Sequence, residues 1–221
     1  MTVLTPHDTA IHVPAWVRDF DTFVTWMHSD EFPDEGRIEY ILGEVRVDLS
    51  MEELFSHNQV KAEITSELGH LVRQREAGFY VAAGMRYTNA DAELATNPDG
   101  MFVSTETFAA KRVELHSGAK GHATEMRGTP DVVIEIVSAS SVDKDTAWLM
   151  SAYHDAGILE YWVIDARETQ PKLDIHRHGS KGYTAARKSG GWVKSATFDR
   201  SFRLTRADLA AGLASYALEF R

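Results

Sequence analysis

The segment Pro130-Asp131-Val132-Val133-Ile134-Glu135-Ile136-Val137-Ser138 constrains the fold more than any other part of the chain. Val132, Val133 and Ile134 are β-branched and apolar on both pleat faces, which predicts a central strand covered from both sides. A carboxylate in such a strand is costly unless an ion pair or a metal compensates it, so Glu135 demands a partner. Asp131 lies on the same pleat face about 13 Å back along the strand and reads as a strand-start acid, not a co-ligand. Ser138-Ala139-Ser140-Ser141 can cap a helix over 145–156 that Gly157 ends, and 159–164 supplies another apolar strand. Strand, helix, strand in this order predicts a right-handed crossover with parallel pairing, hence an α/β fold.

The flanking segments add elements to that unit. Trp16, Val17, Phe20, Phe23, Val24 and Met27 recur at helical spacing and predict an amphipathic helix closed off by Pro33 and Gly36. Residues 37–49 alternate apolar and polar and suit two strands turning at Leu42-Gly43, which makes Glu39 a strand acid. Leu54, Val60, Ile64, Leu68 and Leu71 predict a long helix over 51–75. Short strands are expected near 79–82, 85–87 and 100–104, a brief helix within 105–113, an exposed loop over 114–129, hairpins over 172–204 and a closing helix over 208–218.

A chain of 221 residues with 43% hydrophobic content can bury one sizeable core, and we read residues 1–221 as a single domain. No run approaches the roughly 18 apolar residues of a membrane span, and Met1-Thr2-Val3-Leu4-Thr5-Pro6-His7 lacks the pattern of a signal peptide. Cysteine is absent, which fits a cytoplasmic protein and leaves only oxygen and imidazole as metal ligands. The net charge of −10 argues against nucleic acid until its distribution is read. Residues 1–104 hold seven Lys/Arg against eighteen Asp/Glu, whereas residues 171–206 hold nine Lys/Arg against Asp174 and Asp199. Lys172, Arg177, Lys181, Arg187 and Lys188 are the candidates there for a face that tracks phosphates, although solvated hairpins would carry the same charges.

Glu39, Asp99 and Glu135, brought together from neighbouring strands, would make an oxygen cluster suited to a hard cation such as Mg2+ or Mn2+. Such an ion can activate water and offset charge on a phosphate during displacement. Each residue also has a plainer reading. Pro98-Asp99-Gly100 is a turn signature, Glu135 suits a buried ion pair, and Glu39 suits an exposed hairpin. His57 beside Asn58 and Gln59 fits a helix start, Tyr161 and Trp162 fit the core, and His176 and His178 share a strand face without a third ligand.

The order of these blocks resembles a known family. Arg37-Ile38-Glu39-Tyr40-Ile41-Leu42-Gly43-Glu44, His57, Asn97-Pro98-Asp99, the Glu135 strand, and Tyr153-His154-Asp155-Ala156-Gly157-Ile158-Leu159-Glu160-Tyr161-Trp162-Val163-Ile164-Asp165 are similar to the Uma-type restriction endonucleases, a branch of the PD-(D/E)XK nuclease superfamily. The resemblance covers roughly residues 16–205. It implies a restriction-endonuclease-like central mixed β-sheet flanked by helices, here with β-hairpin additions. It also implies a Mg2+- or Mn2+-dependent endonuclease acting on nucleic acid, DNA in the first place, with a homodimer as the working form. Carried over by motif, Asp99 and Glu135 hold the metal with the backbone carbonyl of Ile136, and Glu39 is the additional acid.

One position departs from the pattern. The family places a lysine on the helix four residues before the tyrosine, and that position here is Leu149. The nearby lysine, Lys144, would lie about 140° around an α-helix from Leu149 and face elsewhere. A positioned cation of this kind is worth roughly two to three orders of magnitude in rate. Its loss leaves two other readings open, a degenerate nuclease-fold binding protein and a hydrolase of small phosphate esters. They are separated by whether a Lys or Arg from another element reaches the space beside Glu135.

Overall fold

The computed structural model describes residues 2–3, 11–117 and 121–221. In chain order the strands are β1 (Thr2–Val3), β2 (Ile11–His12), β3 (Arg37–Ile41), β4 (Glu44–Asp48), β5 (Gly78–Ala82), β6 (Arg86–Asn89), β7 (Leu94–Thr96), β8 (Gly100–Ser104) and β9 (Val113–Ser117). They continue as β10 (Ala123–Gly128), β11 (Val132–Ile136), β12 (Glu160–Asp165), β13 (Lys172–Gly179), β14 (Gly182–Ala185), β15 (Lys188–Ser189), β16 (Trp192–Ser195), β17 (Arg200–Asp208) and β18 (Ala214–Phe220). The helices are α1 (Phe20–Met27), α2 (Val60–Arg75), α3 (Thr105–Ala109) and α4 (Leu149–Asp155).

β11 and β12 form the parallel pair that the crossover predicts, inside a mixed six-stranded sheet of order β14-β13-β12-β11-β8-β5. Successive side chains of β11 go to opposite faces. Val132, Ile134 and Ile136 enter a core built with α2 and the four-stranded sheet β15-β16-β17-β18, while Val133 and Val137 enter a second core with α4 and residues of β3, β6, β7 and β10. The strand is thus covered on both faces, as its composition requires. The second six-stranded sheet, β4-β3-β7-β6-β10-β9, packs on the Glu135 side. Helix α1 covers its outer face through Phe20, Phe23, Trp26 and Met27, against Ile38, Tyr40 and Ala95. Asp19 caps α1 and forms a capping box with Thr22.

The β3–β4 hairpin turns at Leu42-Gly43, where both residues have positive φ, 52° and 81°, the signature of a two-residue turn that follows the strand twist. Two expected elements are different. Residues 208–218 are read as a helix from their alanines and leucines, but Ala214–Phe220 pairs with β17 along the whole strand and buries Leu218 in the first core. Ala211 and Gly212, both at positive φ, make the tight connection. Residues 114–129, read as a loop from their glycines, contribute the antiparallel strands β9 and β10, and Met126 and Val113 are buried there. In both places tertiary pairing overrides local propensity. Residues 118–120 of that segment lie outside the described residues.

Two helical stretches begin with wider turns. Leu54–Gln59 and Lys144–Trp148 are π-helical, running directly into α2 and α4. π-turns inside helices occur mostly as single insertions and cluster at functional sites. Here they flank the same carboxylates.

Candidate metal and catalytic centre

The register of β8 and β11 creates the centre. Val132 pairs with Phe102, Val133 with Met101 and Ile134 with Gly100, so one further step brings Asp99, the residue before β8, opposite Glu135. The Ile136 N–H closes this junction by donating to Asp99 Oδ2 at 2.9 Å. On β3, Ile38 and Tyr40 face α1 and Ile41 faces the second core, so Glu39 shares the inner face with Ile41. Glu39 Oε1 accepts the Asn97 N–H at 3.0 Å. All three predicted acids are buried and adjoin one another.

Three cations and the His57 imidazole surround them. Asp99 Oδ1 is 2.9 Å from Arg37 Nη2 and 3.0 Å from Lys61 Nζ, and Oδ2 is 3.3 Å from His57 Nε2. Arg37 comes from β3 two residues before Glu39, hence on the same pleat face, and Lys61 follows His57 by four residues on the same helical side. Glu52 ties this group together, contacting Arg37 at 2.9 Å, His57 Nδ1 at 3.5 Å and Lys61. The third cation is Lys144. Its Nζ lies 3.3 Å from Glu39 Oε2 and 3.5 Å from Asp145 Oδ1.

Lys144 therefore does not face elsewhere. The backbone N–H of Leu149 donates to the carbonyl of Lys144, an i→i+5 bond, and this wider turn returns residues five apart to nearly the same side. Leu149 itself is fully buried in the second core. The cation that the helix lysine would supply reaches the carboxylates from one turn earlier.

Glu135 is the least compensated group. Its Oε1 accepts the Tyr153 hydroxyl at 2.7 Å, whereas Oε2 is buried with no hydrogen-bond partner. Burial pushes its carboxyl well above the usual range, and Asp145, Asp99 and Glu39 push it further against the pull of Lys144. Asp145 is pushed up to about 6, chiefly by burial, with Lys144 and the Ser141 hydroxyl opposing. Burial opposes the ionised form of Asp99 as well, but the His57 hydrogen bond with Arg37 and Lys61 outweighs it and holds this carboxyl well below the carboxylate range. Burial also disfavours charged Lys144, yet Glu135, Glu39 and Asp145 raise it, so it remains an ammonium.

The donor set fits a hard divalent cation. It is all oxygen and imidazole, it includes two buried carboxylate oxygens without hydrogen bonds, Glu135 Oε2 and Asp145 Oδ1, and ligand atoms of Glu52, His57 and Asp99 lie within 4.8 Å of one another. A cleft of about 340 Å3 opens beside the cluster, lined by Arg37 and Asn97 together with Phe32, Glu52 and Arg86.

The other sequence candidates lie apart from this centre. Asp131 accepts the Ser104 N–H at 2.6 Å and the Thr107 hydroxyl at 2.7 Å, so it joins the start of β11 to the N-terminus of α3. Lys172, Lys181 and Arg187 are exposed on the β13–β15 region. Lys188 pairs with Asp174 at 2.8 Å, and Arg177 donates to the Lys194 carbonyl. Sequence reasoning missed Arg37, Lys61 and Asp145 as members of the centre. The period of two from Arg37 to Glu39 and the period of four from His57 to Lys61 were available signals.

Comparison with known proteins agrees with this architecture. The family model Uma2, described as "Putative restriction endonuclease", matches residues 20–207. The fold is similar to the crystal structure of "a putative nuclease belonging to DUF820 from Anabaena variabilis ATCC 29413", with a TM-score of 0.60, 17% identity, and coverage of 82% of this chain and 90% of that one. At that identity the likeness speaks for the fold alone. No curated protein matches the chain.

Proposed function

Because this chain belongs to the Uma2 ("Putative restriction endonuclease") family, we propose that it is a metal-dependent endonuclease hydrolysing phosphodiester bonds in nucleic acid, with DNA as the substrate. The observation that carries the proposal is the Lys144 ammonium among the buried acids, 3.3 Å from Glu39. This contact favours the catalytic reading over a binding protein, because it supplies beside the acids the cation that Leu149 does not.

In this reading Asp99 and Glu135, with the Ile136 carbonyl and Glu39, would hold Mg2+ or Mn2+. The ion would lower the pKa of a water and offset charge on the phosphate. The chain's own residues do the rest. Lys144, charged across the physiological range, acts as a hydrogen-bond donor and electrostatic stabiliser, not as a base. It orients the attacking water and offsets the negative charge that accumulates as the water oxygen bonds to phosphorus and the bond to the leaving sugar oxygen breaks. Asp145, poised near neutral pH, can accept the proton that the water gives up. Arg37 and Lys61 fix the Asp99 carboxylate, and Tyr153 fixes Glu135. The cleft beside Arg37 and Asn97 gives a phosphodiester access, and Lys172, Lys181, Arg187 and Lys188 would extend the contact along the backbone. A homodimer would present two such centres to the two strands of a duplex.

The test is cleavage of supercoiled plasmid and of short duplex and single-stranded DNA with Mg2+ or Mn2+, by the wild type and by Glu135→Gln. Metal-dependent cleavage lost in Glu135→Gln supports the reading. Cleavage that survives the change removes Glu135 from the mechanism.

A further inference from the structure

A second group of potential ligands sits where α1 meets the edge of the other six-stranded sheet, and it shares no residue with the centre above. Glu125 on β10 is buried, its side chain 2% exposed. Its Oε1 accepts the Thr88 hydroxyl at 2.6 Å and Arg127 Nε at 2.9 Å, and Oε2 accepts Arg127 Nη2 at 3.1 Å. Oε2 also faces His28 Nε2 at 2.7 Å, and His28 is the C-terminal cap of α1. Directly across the β9–β10 pair from Glu125 stands His116, whose ring centroid is 5.4 Å from that of His28. One ligand atom from each of the three residues lies within 4.8 Å of the others.

The His28–Glu125 hydrogen bond engages two of these residues, and His116 would add a third ligand. The β10 strand carries a register shift between Ala123 and Glu125, directly before the cluster. Bulges of this kind re-aim a side chain, and they recur beside functional sites. Two imidazoles and one carboxylate from three separate elements make a donor set that suits Zn2+ and related transition metals better than Mg2+. Thr88 and Arg127 already hold the carboxylate from outside, as outer-shell partners do for metal ligands. Tetrahedral ligation with bonds of about 2.0–2.2 Å sets ligand atoms roughly 3.3–3.6 Å apart, so His28 and Glu125, now at 2.7 Å, would have to part by somewhat under an ångström. His28 can supply that shift, being 32% exposed at a helix end.

We propose that His28, His116 and Glu125 form a transition-metal site of the Zn2+ class, distinct from the carboxylate centre, that ties the C-terminus of α1 to the β9–β10 hairpin. Three protein ligands leave a fourth position for water. The His28–Glu125 contact already joins the end of α1 to β10, and the ion would extend that tie to the edge strand β9, so it would act chiefly on local stability.

Co2+ titration of the full chain, followed by visible absorption, tests this directly, because nitrogen and oxygen ligation at low coordination number gives far stronger bands than a six-coordinate oxygen site. The expected result is one equivalent with such bands, unchanged in Glu135→Gln and weakened by more than about tenfold in His116→Ala, since loss of an outer-shell partner alone brings that much. Zn2+ should also raise the unfolding midpoint of the wild type by more than that of His116→Ala. His116 lies on an exposed edge strand, so its removal leaves the core intact. Absence of the bands in the wild type, bands that persist in His116→Ala, or bands lost in Glu135→Gln would each overturn the proposal. The last outcome would assign the ion to the carboxylate centre while leaving the nuclease reading intact.

Discussion

Replacing Lys144 with methionine isolates the group on which the catalytic reading depends. The thioether keeps most of the volume of the buried stem and removes the charge. Lys144 is the cation nearest Glu39 and Asp145, at 3.3 and 3.5 Å, and the pull of its charge opposes the rise of the Glu135 carboxyl. If it stabilises the transition state as a fixed donor, its removal should slow single-turnover cleavage by about 10²–10³-fold, or about 2.7–4 kcal/mol. A stability cost accompanies this. Breaking a buried ion pair from one side costs up to about 3–5 kcal/mol, less whatever the acids recover by taking up protons. That recovery fixes the pH dependence. Glu135 and Asp145 already have folded-state pKa values above their unfolded ones, so the folded chain binds more protons and stability falls as pH rises. Without Lys144 these values rise further, and the deficit of Lys144→Met against the wild type should be larger at pH 8 than at pH 5.5. The assay pairs cleavage of a labelled duplex at saturating Mn2+ with thermal unfolding at the two pH values. Cleavage within tenfold of the wild type, by a variant shown to be folded, would refute the assignment.

Further outcomes follow from the same geometry. Glu135→Gln should abolish cleavage yet unfold no earlier than the wild type at pH 8, because the change removes a buried carboxylate whose Oε2 has no hydrogen-bond partner; calorimetric unfolding checks this. Asp131→Ala should destabilise the chain by about 1–3 kcal/mol through loss of its bonds to Ser104 and Thr107 while leaving Mn2+ affinity unchanged, since that acid joins β11 to α3. Mn2+ affinity, titrated calorimetrically, should fall as the pH is lowered through about 6, where Asp145 takes up its proton, and binding near neutrality should release protons. Affinity that is flat from pH 7.5 to 5 would exclude Asp145 and Glu135 from the ion's surroundings.

The cost of these buried charges bears on how the site is held. Asp99 is compensated by Arg37, Lys61 and His57, while Glu135 has one hydrogen bond and the more distant influence of Lys144. The two carboxylates, one step apart across β8 and β11, are thus driven in opposite directions, one held ionised and the other biased toward its neutral form. Separation of this kind is a recurrent property of catalytic acids, where environment and not residue type sets the charge state. It also leaves Glu135 as the group most improved by a cation, which fits its proposed place beside the metal.

The apolar and polar pattern by itself determined the central strand covered on two faces, the parallel β11–β12 pair, the β3–β4 hairpin with its turn at Leu42-Gly43, and the main body of α2. Each of these is written in local periodicity and turn chemistry, which act within a few residues. The motif order determined the family and pointed to Glu39, Asp99 and Glu135, and the structure brings those three together. The last strand was not legible, because residues 208–218 have helical composition and only pairing with β17 makes them extended. Nor was the place of Lys144. Whether residues 144–149 wind with an i→i+4 or an i→i+5 bond cannot be read from their side chains, and the difference of one backbone bond decides whether this lysine points at the acids or away from them. The tertiary structure made that choice, through buried carboxylates that need a cation and a core that needs Leu149.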